Sequence, residues 1–230
     1  MDDDCVAGGA CEALSDIPLF PLPNVVLFPR AVLPLHIFEE RYKAMVADAL
    51  EGDRQIAMAL LRPGWETNYY GRAALEPVVC VGTILNHERL ADGRYNLLLQ
   101  GHTRATLVEE AACPTPSYRR ARLAVLRESP VMEIDLSNER VRLTSIFSEE
   151  PFAGLPLAQR FSQMLSSTIP TSDVADLAAF HLLENICLKQ KLLAEPDPRC
   201  RVRKVVGALE ALRPLLHEPR GRFGSRTSCN

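Results

Sequence analysis

No stretch of the 230 residues approaches the roughly 18 consecutive apolar side chains of a membrane-spanning helix, so none is expected. Lysine is scarce. Lys43, Lys189, Lys191 and Lys204 are the full set, and none follows a glycine. The phosphate-cradling loop G-x-x-x-x-G-K-[ST] is therefore missing, and with it a nucleoside triphosphatase site of that kind. No G-x-S-x-G elbow occurs. A serine–lysine dyad would need a lysine turned into a base by its surroundings. Lys189, Lys191 and Lys204 fall on solvated helical stretches instead, and Lys43 lies on an early helix.

No C-x-x-C pair exists. Cys5, Cys11, Cys80, Cys113, Cys187, Cys200 and Cys229 are odd in number and scattered, which argues against a disulfide framework or a zinc site. His36-Ile37-Phe38-Glu39-Glu40 and His87-Glu88 each lack the second histidine of a metalloprotease helix. No cofactor or metal is expected. A basic excess is missing too, since 26 Lys and Arg meet 29 Asp and Glu and the net charge is −3. A nucleic-acid binder would carry a basic footprint. Two basic clusters, Arg119, Arg120 and Arg122, then Arg199, Arg201, Arg203 and Lys204, are read as solvated faces. They keep an RNA-binding alternative open. Met1 to Ala10 is acidic and small, without the basic start and apolar core of a secretory signal, so a cytoplasmic location is expected.

What is present is a 47% hydrophobic chain, enough for a substantial core. Residues 1–15 and 215–230 read as a disordered leader and tail, too polar or too small to offset chain entropy. Residues 16–130 read as β-rich and 131–214 as helical. Pro18, Pro21, Pro23, Pro29 and Pro34 forbid a helix across Ile17 to Pro34 and permit short strands and turns. Tyr42, Met45, Val46, Ala49 and Leu50 then form one helical face, from about Glu39 to Glu51, with Gly52 at its end. Strands are expected at Gln55–Leu61, Pro77–Leu85, Tyr95–Gln100, Arg104–Glu109 and Tyr118–Leu126, with Asp92-Gly93 as a hairpin turn. From about Asp135 the period is helical. Thr171, Ser172 and Asp173 offer a cap to one helix, and Asp197-Pro198 opens the last, which is expected to end near Leu212. Strands followed by a run of helices indicate an α+β fold.

The segment I-P-L-F-P-L-P-N-V-V-L-F-P-R-A-V-L-P-L-H-I-F-E-E-R-Y, Ile17 to Tyr42, resembles the opening of the N-terminal, substrate-binding domain of Lon protease, particularly its stand-alone bacterial type. The likeness continues at Pro63-Gly64-Trp65-Glu66, at Val81-Gly82-Thr83-Ile84, and from Asp92 through Gly101 to Arg104. It ends with Lys189 to Glu195 before a final helix, and covers about residues 17–212. The resemblance implies a PUA-like, bent β-barrel sheet with one early helix, followed by a helical bundle. It also implies a non-catalytic module that binds unfolded or exposed apolar polypeptide, acting as adaptor or regulator of proteolysis. Its expected partners are client proteins and a separate protease, with no membrane. One departure stands out. Ala74-Leu75-Glu76-Pro77-Val78 occupies a stretch where stand-alone members often carry a histidine or another polar residue.

Contact residues do not follow from that likeness. Trp65, Tyr69 and Tyr70, an aromatic cluster in a loop, are the candidate polypeptide-binding residues, because rigid aromatic rings bring contact area at low entropy cost. The opposing reading has Trp65 fold inward and pin the loop to the barrel. A groove between barrel and bundle is the other location considered. An enzyme would require a deep pocket holding His36 or His102 beside a carboxylate.

Overall fold

The computed structural model describes residues 13–69, 71–111 and 118–217. Six strands and six α-helices follow in an α+β order. The strands are β1 (Ala13–Leu22), β2 (Val32–Ile37), β3 (Gln55–Leu60), β4 (Val78–Arg89), β5 (Tyr95–Glu110) and β6 (Arg119–Val125). The helices are α1 (Glu40–Glu51) between β2 and β3, then α2 (Ser137–Ser148), α3 (Ala158–Leu165), α4 (Thr171–Leu182), α5 (Ile186–Leu193) and α6 (Pro198–His217). Among the described residues, no helix is long and apolar enough to cross a membrane.

The sheet runs β2-β5-β4-β3-β1-β6, and β5 also pairs with β6. That extra pairing closes β5-β4-β3-β1-β6 into a small barrel. Among the described residues, only β1 and β3 pair in parallel. The sequence pattern suggests two strands over residues 95–109, but β5 is one continuous strand of 16 residues. Its first part, Tyr95 to Gln100, pairs with β2, and its second part, Ala105 to Glu110, pairs with β6. Gly101 marks the changeover. Its N–H donates to the Ala31 carbonyl at 2.9 Å, and its own carbonyl accepts from the Arg30 amide at 2.8 Å. A Cβ there would lie 2.3 Å from the Phe28 carbonyl oxygen, so only glycine lets the 28–31 loop cross the strand.

The prolines find their places by pairing geometry. Residues 13–19 of β1 pair with β6, while residues 19–22 pair with β3. Pro18 and Pro21 thus each lie where β1 is paired on one side only, and a proline, having no N–H to donate, is tolerated at such positions. β1 starts at Ala13, opposite Ala124, so the last residues of the expected leader are strand. The remainder of that leader, and all of the expected tail beyond His217, lie outside the described residues.

Strand alternation builds two separate apolar clusters. Leu19, Ala57, Ala59, Val79, Val81, Ala105, Ala121 and Leu123 turn into the barrel. Their neighbours Phe20, Met58, Leu60 and Cys80 point outward and join the helices in one continuous core. Period-2 patterning with small residues inside is what a narrow barrel demands. In the bundle, the rings of Phe147 on α2 and Phe161 on α3 stack at 4.5 Å. Such a pair adds about 0.5–1.5 kcal/mol beyond its buried area.

Helix ends depart from the sequence expectation in two instances, the start of α4 and the end of α6. Thr171 is already the first residue of α4, and Thr171, Ser172 and Asp173 do not cap it. Glu133, distant in sequence, accepts from the Thr171 amide at 3.0 Å and from its hydroxyl at 2.7 Å. Asp197 does cap α6, its Oδ1 accepting from the Arg199 amide at 2.9 Å. That helix continues through Pro214 to His217 rather than ending near Leu212.

The seam between barrel and bundle is ionic, and it overturns one expectation. Arg201 is not on a solvated face but only 1% exposed. It and Arg104 of β5 converge on the same two carboxylates. Arg104 reaches Asp176 of α4 at 2.7 Å and Glu128 at 2.8 Å. Arg201 reaches Glu128 at 2.9 Å, and its Nε lies 3.0 Å from Asp176 Oδ1. This last contact is an ion pair whose angle falls short of a hydrogen bond. Two positive and two negative groups balance, as buried charge requires. Gln190 of α5 adds a bond from Nε2 to the Val78 carbonyl at 2.8 Å.

Candidate functional site

Beyond the barrel, β2, the first part of β5 and the last part of β4 form a three-stranded ribbon. Its inner face is apolar and covered: Ile37 of β2, Tyr95, Leu97 and Leu99 of β5, and Ile84 of β4 are all buried. Its outer face follows from the strand period. In β2, Val32, Pro34 and His36 point out, opposite Gln100, Leu98 and Asn96. In β4 the register shifts between Ile84 and Asn86. At this bulge Leu85 is the extra residue beside Asn86, opposite Leu98, and both belong to an exposed run over residues 85–89.

The result is an uncovered apolar strip. Leu85 is 50% exposed and Leu98 39%, with Val32 and Pro34 beside Leu98, and Phe38, just past β2, is 62% exposed. Isolated exposed leucines are ordinary, but side chains grouped on one rigid sheet face mark an interaction surface. Pro34, His36, Asn86, Glu88, Asn96 and Leu98 help to line a depression of about 390 Å³ in it.

One edge of the strip is polar and fixed. His36 Nδ1 donates to Asn96 Oδ1 at 2.7 Å, and Asn96 Nδ2 donates to Glu88 at 3.4 Å. Arg94 Nη1 stands 3.4 Å from His36 Nε2. These partners suit a proton on Nδ1. Arg94 also binds Asp92 at 2.5 Å, and its hydrogen bond holds that carboxyl below the usual range. His36 therefore does lie near a carboxylate, but the depression is shallow and no serine, threonine or cysteine lines it. His102 is exposed and bonded to Thr103 Oγ1 at 2.8 Å. Among the described residues, no group of three or more His, Cys, Asp or Glu could hold a metal ion.

The aromatic loop occupies a different place. Gly64, at φ 87°, turns the chain into a single 3-10 turn over Trp65–Asn68. Trp65 and Tyr69 meet edge to face at 5.4 Å and pack against the barrel-interior cluster. Tyr69 is held further by its hydroxyl, which donates to Glu39 Oε1 at 2.8 Å. Arg41 lies over the rings of Tyr69 and Tyr42, 4.7 and 4.5 Å from their centroids. Burial, then the bond to Glu39, pushes the Tyr69 phenol upward in pKa. Both rings are half-buried. Tyr70 lies outside the described residues.

The two basic clusters do not form free cationic surfaces. Arg119 binds Glu110, Arg120 binds Asp16 and Arg122 binds Glu109. Arg199 binds Asp135, Arg203 binds Glu139 and Lys204 binds Glu195, while Arg201 is buried in the seam. Sequence reasoning missed the outer strip because only the side-by-side pairing of β2, β5 and β4 gathers Val32, Leu98 and Leu85 on one face. The remaining signal was there: Val32, Pro34 and His36 alternate with the buried side of β2.

Comparison with known proteins agrees with this architecture. The family model of the ATP-dependent protease La (LON) substrate-binding domain matches residues 16–211. The Lon protease of Desulfosudis oleivorans is 23% identical over 204 residues, 88% of this chain and 25% of that protein. Lon protease 2 of Bdellovibrio bacteriovorus is 27% identical over 221 residues, 94% of this chain and 27% of that protein. The chain thus spans about a quarter of the length of the curated relatives it matches. In fold, it is similar to the N-terminal domain of Mycobacterium avium complex Lon protease, with a TM-score of 0.64 at 15% identity, covering 85% of this chain and 98% of that one. The Lon N-terminal domain protein from Xanthomonas campestris gives a TM-score of 0.61 at 21% identity, covering 84% and 98%. From its barrel-and-bundle architecture and a family match that runs from the first strand into the last helix, this chain belongs to the Lon substrate-binding domain family.

Proposed function

We propose that the chain recognises exposed apolar segments of unfolded polypeptides, without cutting them or hydrolysing nucleotide, along the outer face of the β2–β5–β4 ribbon. In this reading it serves as an adaptor or regulator for a separate protease. The observation that carries the reading is the strip formed by Val32, Pro34, Leu85 and Leu98, with Phe38 at its end, on a ribbon whose other face is locked in the core. A rigid apolar face pays little ordering entropy on binding. Pro34 removes one backbone donor from the edge strand β2, which favours contact across the face over addition of a further strand. The aromatic loop remains a candidate with less surface to offer. Trp65 and Tyr69 spend much of their ring area on the barrel.

The test is fluorescence anisotropy with a labelled, permanently unfolded protein, reduced and carboxymethylated lactalbumin, in the absence of ATP. The double substitution Leu85→Ser and Leu98→Ser is expected to weaken binding at least about tenfold, since interface hot spots exceed roughly 1 kcal/mol each. Trp65→Ala is expected to leave binding within about twofold and instead to lower stability by about 1–3 kcal/mol, less than a fully buried tryptophan would cost. Unchanged binding in the double variant would remove the strip as the site. Loss of binding in Trp65→Ala alone, at unchanged stability, would move the site to the aromatic loop. The RNA-binding alternative receives no support from the basic clusters, all of whose members face carboxylates.

A further inference from the structure

The bundle holds a second concavity, remote in sequence from the ribbon strip. Between α3 and α4 lies a depression of about 560 Å³. Phe161 forms its buried floor, and half-buried Leu157, Met164, Ile169 and Leu177 line it. Leu157, Phe161 and Met164 succeed one another at i, i+4 and i+7, so the slot is roughly 10 Å long at the rise of an α-helix. Its volume falls within the usual range for small-molecule sites, about 300–1,000 Å³.

The charge around this slot is one-sided. Arg160 and His181 line it, and no carboxylate does. Burial, with Lys189 nearby, presses the His181 pKa downward. The other arginines of the helical half are engaged: Arg140 with Glu133, Arg142 with Glu210, Arg203 with Glu139 and Arg213 with Glu149. Arg160 has no ion-pair partner among the described residues. A planar guanidinium at the mouth of an apolar slot offers paired donors to a carboxylate.

We propose that the α3–α4 slot binds a small amphipathic acid, an unbranched acyl carboxylate of medium chain length. Its tail lies over Phe161 and Leu177, and its carboxylate meets Arg160. The slot's short length suits a tail of that size. No part of this assignment depends on polypeptide binding at the ribbon.

The experiment is calorimetric titration of the whole chain with sodium decanoate below its micellar concentration, with backbone amide NMR to locate the contact. Saturable one-to-one binding is expected, with shifts concentrated between residues 157 and 181. Arg160→Gln should weaken it about tenfold, as should replacing decanoate by 1-decanol, because each removes the charge-assisted pair. Arg160 is exposed, so this variant leaves the core intact. Absence of saturable binding would overturn the proposal. So would equal affinity in Arg160→Gln, or shifts confined to the ribbon. Binding of a peptide ending in leucine where decanoate fails to bind would also overturn it, assigning the slot to polypeptide ends. Loss of unfolded-protein binding in the ribbon variant, with decanoate binding intact, would keep the two sites separate.

Discussion

Arg104 of β5 and Asp176 of α4 meet at 2.7 Å with side chains 4% and 1% exposed, and this contact joins the barrel to the helical bundle. Asp176 also lies 3.0 Å from the Arg201 guanidinium. Asp176→Ala would leave two buried guanidiniums sharing Glu128 alone. Removing one member of a buried pair typically costs about 3–5 kcal/mol. Urea unfolding should show a loss of that order, while Glu128→Ala, which removes a carboxylate itself 37% exposed, should cost less.

Gly101→Ala is expected to destabilise the fold by about 1–3 kcal/mol, the usual penalty for forcing extra volume into a packed site. The new methyl would meet the Phe28 carbonyl, the Cys80 sulfur and the Leu27 side chain, all within 3.0 Å. Backbone resists displacement more than a flexible side chain does. A drop in the thermal midpoint, with binding of decanoate unchanged, checks the prediction; an unshifted midpoint would show that the 28–31 loop can move aside.

The opening of α6 should loosen in acid. Its cap Asp197 has a lowered pKa, first because it accepts from the Arg199 amide. Asp135 is lowered by its bond to Arg199, and Glu195 by its bond to Lys204. A carboxyl whose folded pKa is depressed adds stability above its unfolded pKa and loses it as pH falls through the folded one. For these groups that window begins near about pH 4 and extends below it. Hydrogen exchange at Arg199 to Arg201 should therefore accelerate as pH falls below about 4, relative to the intrinsic rate. Asp197→Asn, which keeps an acceptor but not the charge, should flatten the response.

The local rules of the chain were readable where they depend on neighbours in sequence. α1 was marked by its apolar face and by Gly52, and the start of α6 by Asp197 and Pro198. The α+β order followed from the same periodicities. Features set by distant partners were not readable. Arg201 appears solvated on a helical pattern, because Asp176 and Glu128, which bury it, lie far away in sequence. The cap of α4 comes from Glu133, not from the adjacent polar trio. β5 looked like two strands since Gly101 reads as a break, and only the crossing 28–31 loop explains that glycine. The outer strip was hidden for a similar reason: alternation marks the outward side of each strand, but only the pairing of β2, β5 and β4 brings Val32, Leu98 and Leu85 together.

The unbroken course of β5 has a mechanical meaning. Leu98 sits on the outer strip and Arg104 in the seam, six residues along one strand, a span of roughly 20 Å at the rise of extended chain. Leu99, Gln100, Gly101 and Thr103 between them all pair with β4, and His102 alone is passed over, at a bulge within the unbroken strand. Whatever grips the strip therefore pulls on barrel and bundle together, and the chain bears that load as one stiff beam instead of two pieces on a hinge.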